Sequence, residues 1–173
     1  MHKLMLFISK SLEKILMFAM AAIVFTVTWQ VFSRFILQSP SSYTEELARY
    51  LLIWIGILGS AYAYKAKAHL GLDLFVEKLA PAKKIKVRML IEVLVIVFAC
   101  SVMIYGGSLL MSMTIELKQT SAALGINMGI IYSAIPLSGI LIVMFALDNI
   151  VQLRKARLGT QDTVNQNIVK GTL

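Results

Sequence analysis

VLVIVFACSVMIYGGSLLMSMTI, residues 93–115, runs for 23 residues without one Asp, Glu, Lys, Arg or His. A helical crossing of a bilayer needs about 20 apolar residues, so this stretch alone predicts a membrane span. Three more runs of the same kind flank it, at residues 15–33, 50–64 and 119–147. None carries a charged residue near its middle. The fold class that follows is an all-α integral membrane protein with four transmembrane helices. The position of the charges matters as much as the runs. Ion and proton pathways need acids, bases or broken helices at the bilayer midplane, and here the charges sit at the rims. That argues against a chain that moves a charged substrate by itself. The lack of any internal repeat argues the same way, because self-sufficient secondary transporters commonly show repeated halves.

Composition closes off other classes. Of 173 residues, 58% are hydrophobic and 15% charged, against roughly 25% charged in soluble domains. Four spans with short connections use nearly the whole length, leaving no room for a separate soluble domain. The single cysteine, Cys100, lies inside an apolar run. A dithiol redox enzyme is therefore excluded, and Cys100 reads as a small packing residue.

The net charge of +8 would suggest nucleic acid only if its distribution were ignored. Fourteen of the 17 Lys and Arg residues precede the first span, lie between the second and third, or follow the fourth. Four crossings bring those three segments to one side. The other side holds only Arg34, Arg49 and Lys118. The positive-inside rule then places both termini and the central loop in the cytoplasm, with anionic lipid and not nucleic acid as the basic partner.

The expected organisation is one transmembrane domain over residues 1–157, with spans at about 12–37, 43–64, 84–116 and 128–153, and a polar, disordered tail at 158–173. The N-terminus lacks a small-x-small cleavage site and does not read as a cleavable signal. Two short amphipathic stretches, about 3–14 and 71–80, read as interfacial helices. In the first, Leu4, Phe7, Ile8, Leu12 and Ile15 share a face opposite Lys3, Lys10 and Glu13. The residues from Gln38 to Ser42 break the first span, and Ser42 with Glu45 has capping-box spacing for the second. Gly106 and Gly107 are candidate bending points in the third, and Pro136 in the fourth predicts a kink.

The segment Thr44-Glu45-Glu46-Leu47-Ala48-Arg49-Tyr50-Leu51-Leu52-Ile53-Trp54 carries the most information about function. Glu45 and Arg49 are four apart with the acid first, the favourable order for a pair on one helix face, and Glu46 could share the arginine. The same face continues to Gly56 and Ser60, a small-xxx-small spacing that admits a neighbouring helix. The bland reading is a helix start plus interfacial anchor; the sharper one is a docking face. Trp54, two or three turns inside the helix, reads as a packing residue. Glu92 and Asp148, at the ends of the third and fourth spans, are expected to snorkel or to pair with Arg88 and Arg154. His2 and His69 have no metal-ligand spacing around them. No phosphate loop, nucleophile elbow or catalytic carboxylate pair is present in the sequence, so no catalytic residue, cofactor or metal is expected.

Phe32-x-Arg34-Phe35, the Ser39-Pro40 break, the Thr44 to Leu51 segment, Ile53-Trp54, Gly59, Tyr64 and His69-Leu70-Gly71-Leu72-Asp73-Leu74 together resemble the small membrane subunit of tripartite ATP-independent periplasmic (TRAP) transporters. The specific match covers residues 32–74, and departs from the family's frequent glycines at Lys67-Ala68. The resemblance implies a four-helix subunit of the bacterial inner membrane that binds a much larger membrane subunit. That subunit would carry the substrate and Na⁺ sites and move as an elevator. A periplasmic binding protein would deliver a carboxylate such as a C4-dicarboxylate or sialic acid. The small chain would anchor and enlarge the stationary scaffold. On this reading Arg34, Tyr43, Glu45, Glu46 and Arg49 lie on the external rim, and Trp54, Gly56 and Ser60 continue the partner-binding surface. The alternatives are a membrane adaptor or chaperone without transport, and a small four-helix exporter, which would want an acid embedded in its first span.

Overall fold

A computed structural model describes residues 2–39, 41–66 and 81–171. The helices are α1 (His2–Phe35), α2 (Ser42–Lys65), α3 (Pro81–Phe98), a π-helical segment (Ala99–Gly106), α4 (Gly107–Glu116), α5 (Met128–Tyr132) and α6 (Ala134–Gly171). No strand occurs among the described residues beyond one bridge between Thr120 and Asn127. Four helical stretches are long and apolar enough to span a membrane: Met5–Phe35, Ser42–Lys65, Lys84–Glu116 and Met128–Arg154. The expected helix at 71–80, and with it His69, lies outside the described residues.

The first amphipathic stretch is not a separate piece. Residues 2–35 contain no Gly or Pro, so nothing interrupts the hydrogen-bond ladder, and α1 is one helix of 34 residues. At about 51 Å it exceeds the roughly 30 Å hydrocarbon core. Its packed face is also rotated from the expected one. Met5 and Leu12 are buried with Ile8 and Leu16 beside them, while Phe7 and Ile15 point outward at 69% and 57% exposure. This apolar stripe therefore packs on the protein instead of lying in the interface.

The spans form an open row. Helix α1 packs on α2, α2 on α6, and α6 on α3 and the π-helical segment; among the described residues α1 does not pack on the third span. The core is correspondingly thin, centred on Leu58, Ala61, Ala99, Ile142 and the fully buried Phe145. In water such a layer would expose a ruinous apolar area. In lipid the outward side chains cost nothing, and association rests on close packing and interhelical hydrogen bonds.

Both devices hold the third and fourth spans together. A Cβ placed on Gly139 would sit 2.8 Å from Met103 Cβ, and one on Gly107 would sit 2.8 Å from Ile135 Cγ2. Gly107 thus lets α6 approach, and the helix takes π-form over the eight residues before it, Ala99–Gly106. Pro136 falls in the first turn of α6, and its ring excludes the carbonyl four residues back, which is Tyr132. Helix α5 ends at Tyr132, so the proline splits the fourth span at Ser133. Downstream, the tail expected to be disordered continues α6 to Gly171.

Candidate functional site

Helix α2 begins at Ser42 with Ser41 as its cap residue, and no side chain caps it. The Ser42 and Glu45 capping box is not made. Thr44 Oγ1 instead donates to the Ser41 carbonyl at 2.9 Å. Without a side-chain cap, the helix presents two adjacent glutamates to different surroundings.

Glu46 faces inward, toward the loop before α5. Its carboxylate accepts from the Ser121 hydroxyl and from the backbone N–H groups of Ala122, Ala123 and Leu124, each amide at 3.1 Å. Three consecutive amides converging on one anion form a nest, here filled by the chain's own carboxylate. Ser121 Oγ also accepts from Leu124 N–H at 3.2 Å, and Gly125, at φ +65°, closes the turn. Glu46 does not share Arg49; it pins the external loop onto α2.

Glu45 faces outward and pairs with Arg49 at 3.4 Å, both side chains more than half exposed. The open face continues through Leu52, Gly56 and Ser60, all exposed. A Cβ built on Gly56 meets nothing within 4 Å. The predicted small-residue stripe is therefore exposed, and among the described residues nothing approaches Gly56. Arg34, 5.8 Å over the Phe35 ring, and Tyr43, 63% exposed, lie on the same rim. Trp54 goes elsewhere, packing against the chain's own core.

The opposite end of α2 carries a second polar clasp. Lys65 Nζ donates to Asp148 Oδ2 at 3.1 Å and lies 5.4 Å from the Phe145 ring centroid. Gln152 donates to the same carboxylate at 2.9 Å. The Tyr64 hydroxyl donates to Glu92, whose other oxygen accepts from Asn149 at 3.1 Å. Glu92 and Asp148 thus work across helices, joining α2, α3 and α6, in addition to the snorkelling or pairing with Arg88 or Arg154 that the sequence led us to expect. Between the clasps, Ser138 Oγ donates to the Ile57 carbonyl at 2.7 Å.

Sequence reasoning missed the Glu46 nest, the Tyr64–Glu92–Asn149 bridge and the Ser138 contact. Asn149 beside Asp148, at the basic end of an otherwise apolar run, was the available signal for the second. Among the described residues no cluster of three or more His, Cys, Asp or Glu groups could hold a metal.

A row of membrane helices, tied at both ends by carboxylates, defines a multi-span membrane protein. The model of the family "Tripartite ATP-independent periplasmic transporters, DctQ component" matches residues 14–156, and the chain belongs to that family. It is accordingly a multi-pass protein of the bacterial inner membrane and one component of a tripartite transporter. It is 28% identical over 151 residues to the sialic acid TRAP transporter small permease protein SiaQ of Vibrio cholerae, covering 84% of this chain and 83% of that one. A TRAP small permease protein of Haemophilus influenzae is 27% identical, with 87% and 92% covered. The isethionate TRAP transporter permease protein DctMQ of Oleidesulfovibrio alaskensis is 29% identical over 84% of this chain but only 24% of its own length.

Proposed function

We propose that this chain is the stationary small subunit of a Na⁺-coupled importer of organic acids, bound to a large elevator-type permease and served by a periplasmic binding protein. Both termini and the Lys65–Asp148 end face the cytoplasm, as the basic segments require, and Glu46 with its loop faces the periplasm. The observation that carries the reading is the open face of α2. Glu45 and Arg49 are paired at its rim, and Gly56 and Ser60 lie exposed below, with nothing among the described residues within 4 Å of a Cβ on Gly56. The fused permease from Oleidesulfovibrio, in which the stretch similar to this chain is about a quarter of the whole, supports a large membrane partner. No charge lies in the middle of any span, so substrate and Na⁺ belong on that partner.

The substrate is a carboxylate or a related organic anion; sialic acid is the first candidate because of the Vibrio relative's name, with C4-dicarboxylates next. The test is reconstitution. Proteoliposomes holding the large subunit, with or without this chain, are given a Na⁺ gradient and the loaded binding protein. Uptake is expected only when this chain is present. Equal uptake without it would overturn the reading.

A further inference from the structure

The packed side of the third span changes register partway along. Up to the π-helical segment it runs through Glu92, Val95 and Ala99, spaced three and four. An α-helix would continue that stripe at Val102, Gly106, Leu109 or Leu110, and Met113. Apart from the half-buried Gly106 those positions point outward, Val102 at 53%, Leu109 at 45% and Met113 at 50% exposure. The less exposed residues are Met103, Gly107, Met111 and Thr114, each one place later. The segment Ala99–Gly106 accounts for the step. Bonds to the fifth residue back absorb one extra residue and turn everything beyond it by about 100°.

The π-form is rare and mostly limited to single turns. Here α6 lies against it. A Cβ on Gly139 would sit 2.8 Å from Met103 Cβ, 3.0 Å from Ile104 Cγ1 and 3.4 Å from the Ala99 carbonyl oxygen. Three features keep the α register within reach. Gly106 precedes Gly107, and a Cβ on Gly106 would meet only the Ser101 carbonyl oxygen, at 3.8 Å. A glycine can therefore face Ile135 and Pro136 in either register. The bypassed stripe is as apolar as the one in use, and lipid accepts whichever of the two points outward. The Gly107 amide, finally, is aimed at the carbonyls of Val102, Met103 and Ile104 together, so bonds to the fifth, fourth and third residue back already compete at the junction.

We propose that the half of the third span beyond the π-helical segment is a two-register element. In its second register residues 99–106 are α-helical, residues 107–116 are turned by about 100°, and Gly106 takes the place of Gly107 against α6. The Glu92 clasp keeps the first half fixed. The turn is taken up before the Glu46 nest, where Lys118 already sits at φ +48°. The loop end of the span thus has two states, while the clasp end has one. The proposal concerns this chain alone and stands apart from the subunit reading.

The test is oxidative cross-linking of the full chain in native membranes, with Cys100→Ser removing the native thiol. Gly107→Cys with Ile135→Cys reports the register seen, since a Cβ on Gly107 lies 3.1 Å from Ile135 Cβ. Gly106→Cys with Ile135→Cys reports the second. Ser108→Cys with Ile135→Cys is the control for simple breathing, because positions 106 and 108 lie about 100° to either side of 107. The second register should make the 106 pair close at least about tenfold faster than the 108 pair, as a disulfide admits only Cα atoms about 4.4–6.8 Å apart. Gly107→Ala, which crowds Ile135 Cγ2 at 2.8 Å in the register seen, should speed the 106 pair further. Equal closing of the 106 and 108 pairs would mean one breathing register and would overturn the proposal. So would a 107 pair that fails to close, or a 106 pair that Gly107→Ala leaves unchanged.

Discussion

Glu45 and Glu46 are neighbours in sequence and opposites in use. One peptide step turns the side chain by about 100° around the helix. Glu46 meets three loop amides and Ser121, whereas Glu45 meets only Arg49 in the open. The same division runs the length of α2. Its inward side holds Glu46, Tyr50, Trp54, Tyr64 and Lys65, all engaged with this chain. Its outward side holds Glu45, Arg49, Gly56 and Ser60, all exposed among the described residues. Residues that build the subunit and residues free to bind a partner thus alternate along one helix, separated by direction and not by position.

Mutations on the two sides should separate folding from assembly. The largest folding loss is expected from Asp148→Ala, which strands Lys65, only 14% exposed, without its carboxylate. Breaking a buried pair from one side costs about 3–5 kcal/mol, and thermal unfolding of the purified chain would measure it. Gly139→Ala should cost about 1–3 kcal/mol by overpacking, since Met103 Cβ, at 2.8 Å from the new methyl, cannot move without its backbone. Glu46→Ala should leave the spans intact but speed amide exchange at Ala122, Ala123 and Leu124, read by hydrogen exchange with mass spectrometry. Gly56→Ala reverses the sign. The site is open, so the isolated chain should gain about 0.5–1 kcal/mol from lost unfolded-state freedom, while the complex with the large subunit weakens. Arg49→Ala should change stability by only a few tenths of a kcal/mol, because the pair is exposed and screened. A large folding loss from Gly56→Ala or Arg49→Ala would erase the division between the two sides.

The spans were legible because 23 charge-free residues admit few other structures, and the α2 stripe was legible because its spacing of four is a helical period. What escaped reading was set by contacts between helices. The N-cap of α2 is Ser41 without a side-chain cap, so the Ser42 and Glu45 spacing is not used. Glu46 was assigned to the external rim without its loop, since the convergence of residues 121–124 on it depends on the register of two spans far apart in sequence. For Glu92 and Asp148 the sequence offered only snorkelling or cations on their own helices, because cross-helix neighbours cannot be counted off a sequence. Pro136 marked a break correctly, yet its place in the first turn of α6 puts the break at Ser133.

The most direct test of the division along α2 is a paired measurement on Gly56→Leu: the thermal midpoint of the chain alone, and the amount of large subunit that co-purifies with it from mild detergent. The account predicts a midpoint that does not fall and a lost complex. An intact complex, or a midpoint that falls together with it, would contradict the assignment of the outward face of α2 to the partner.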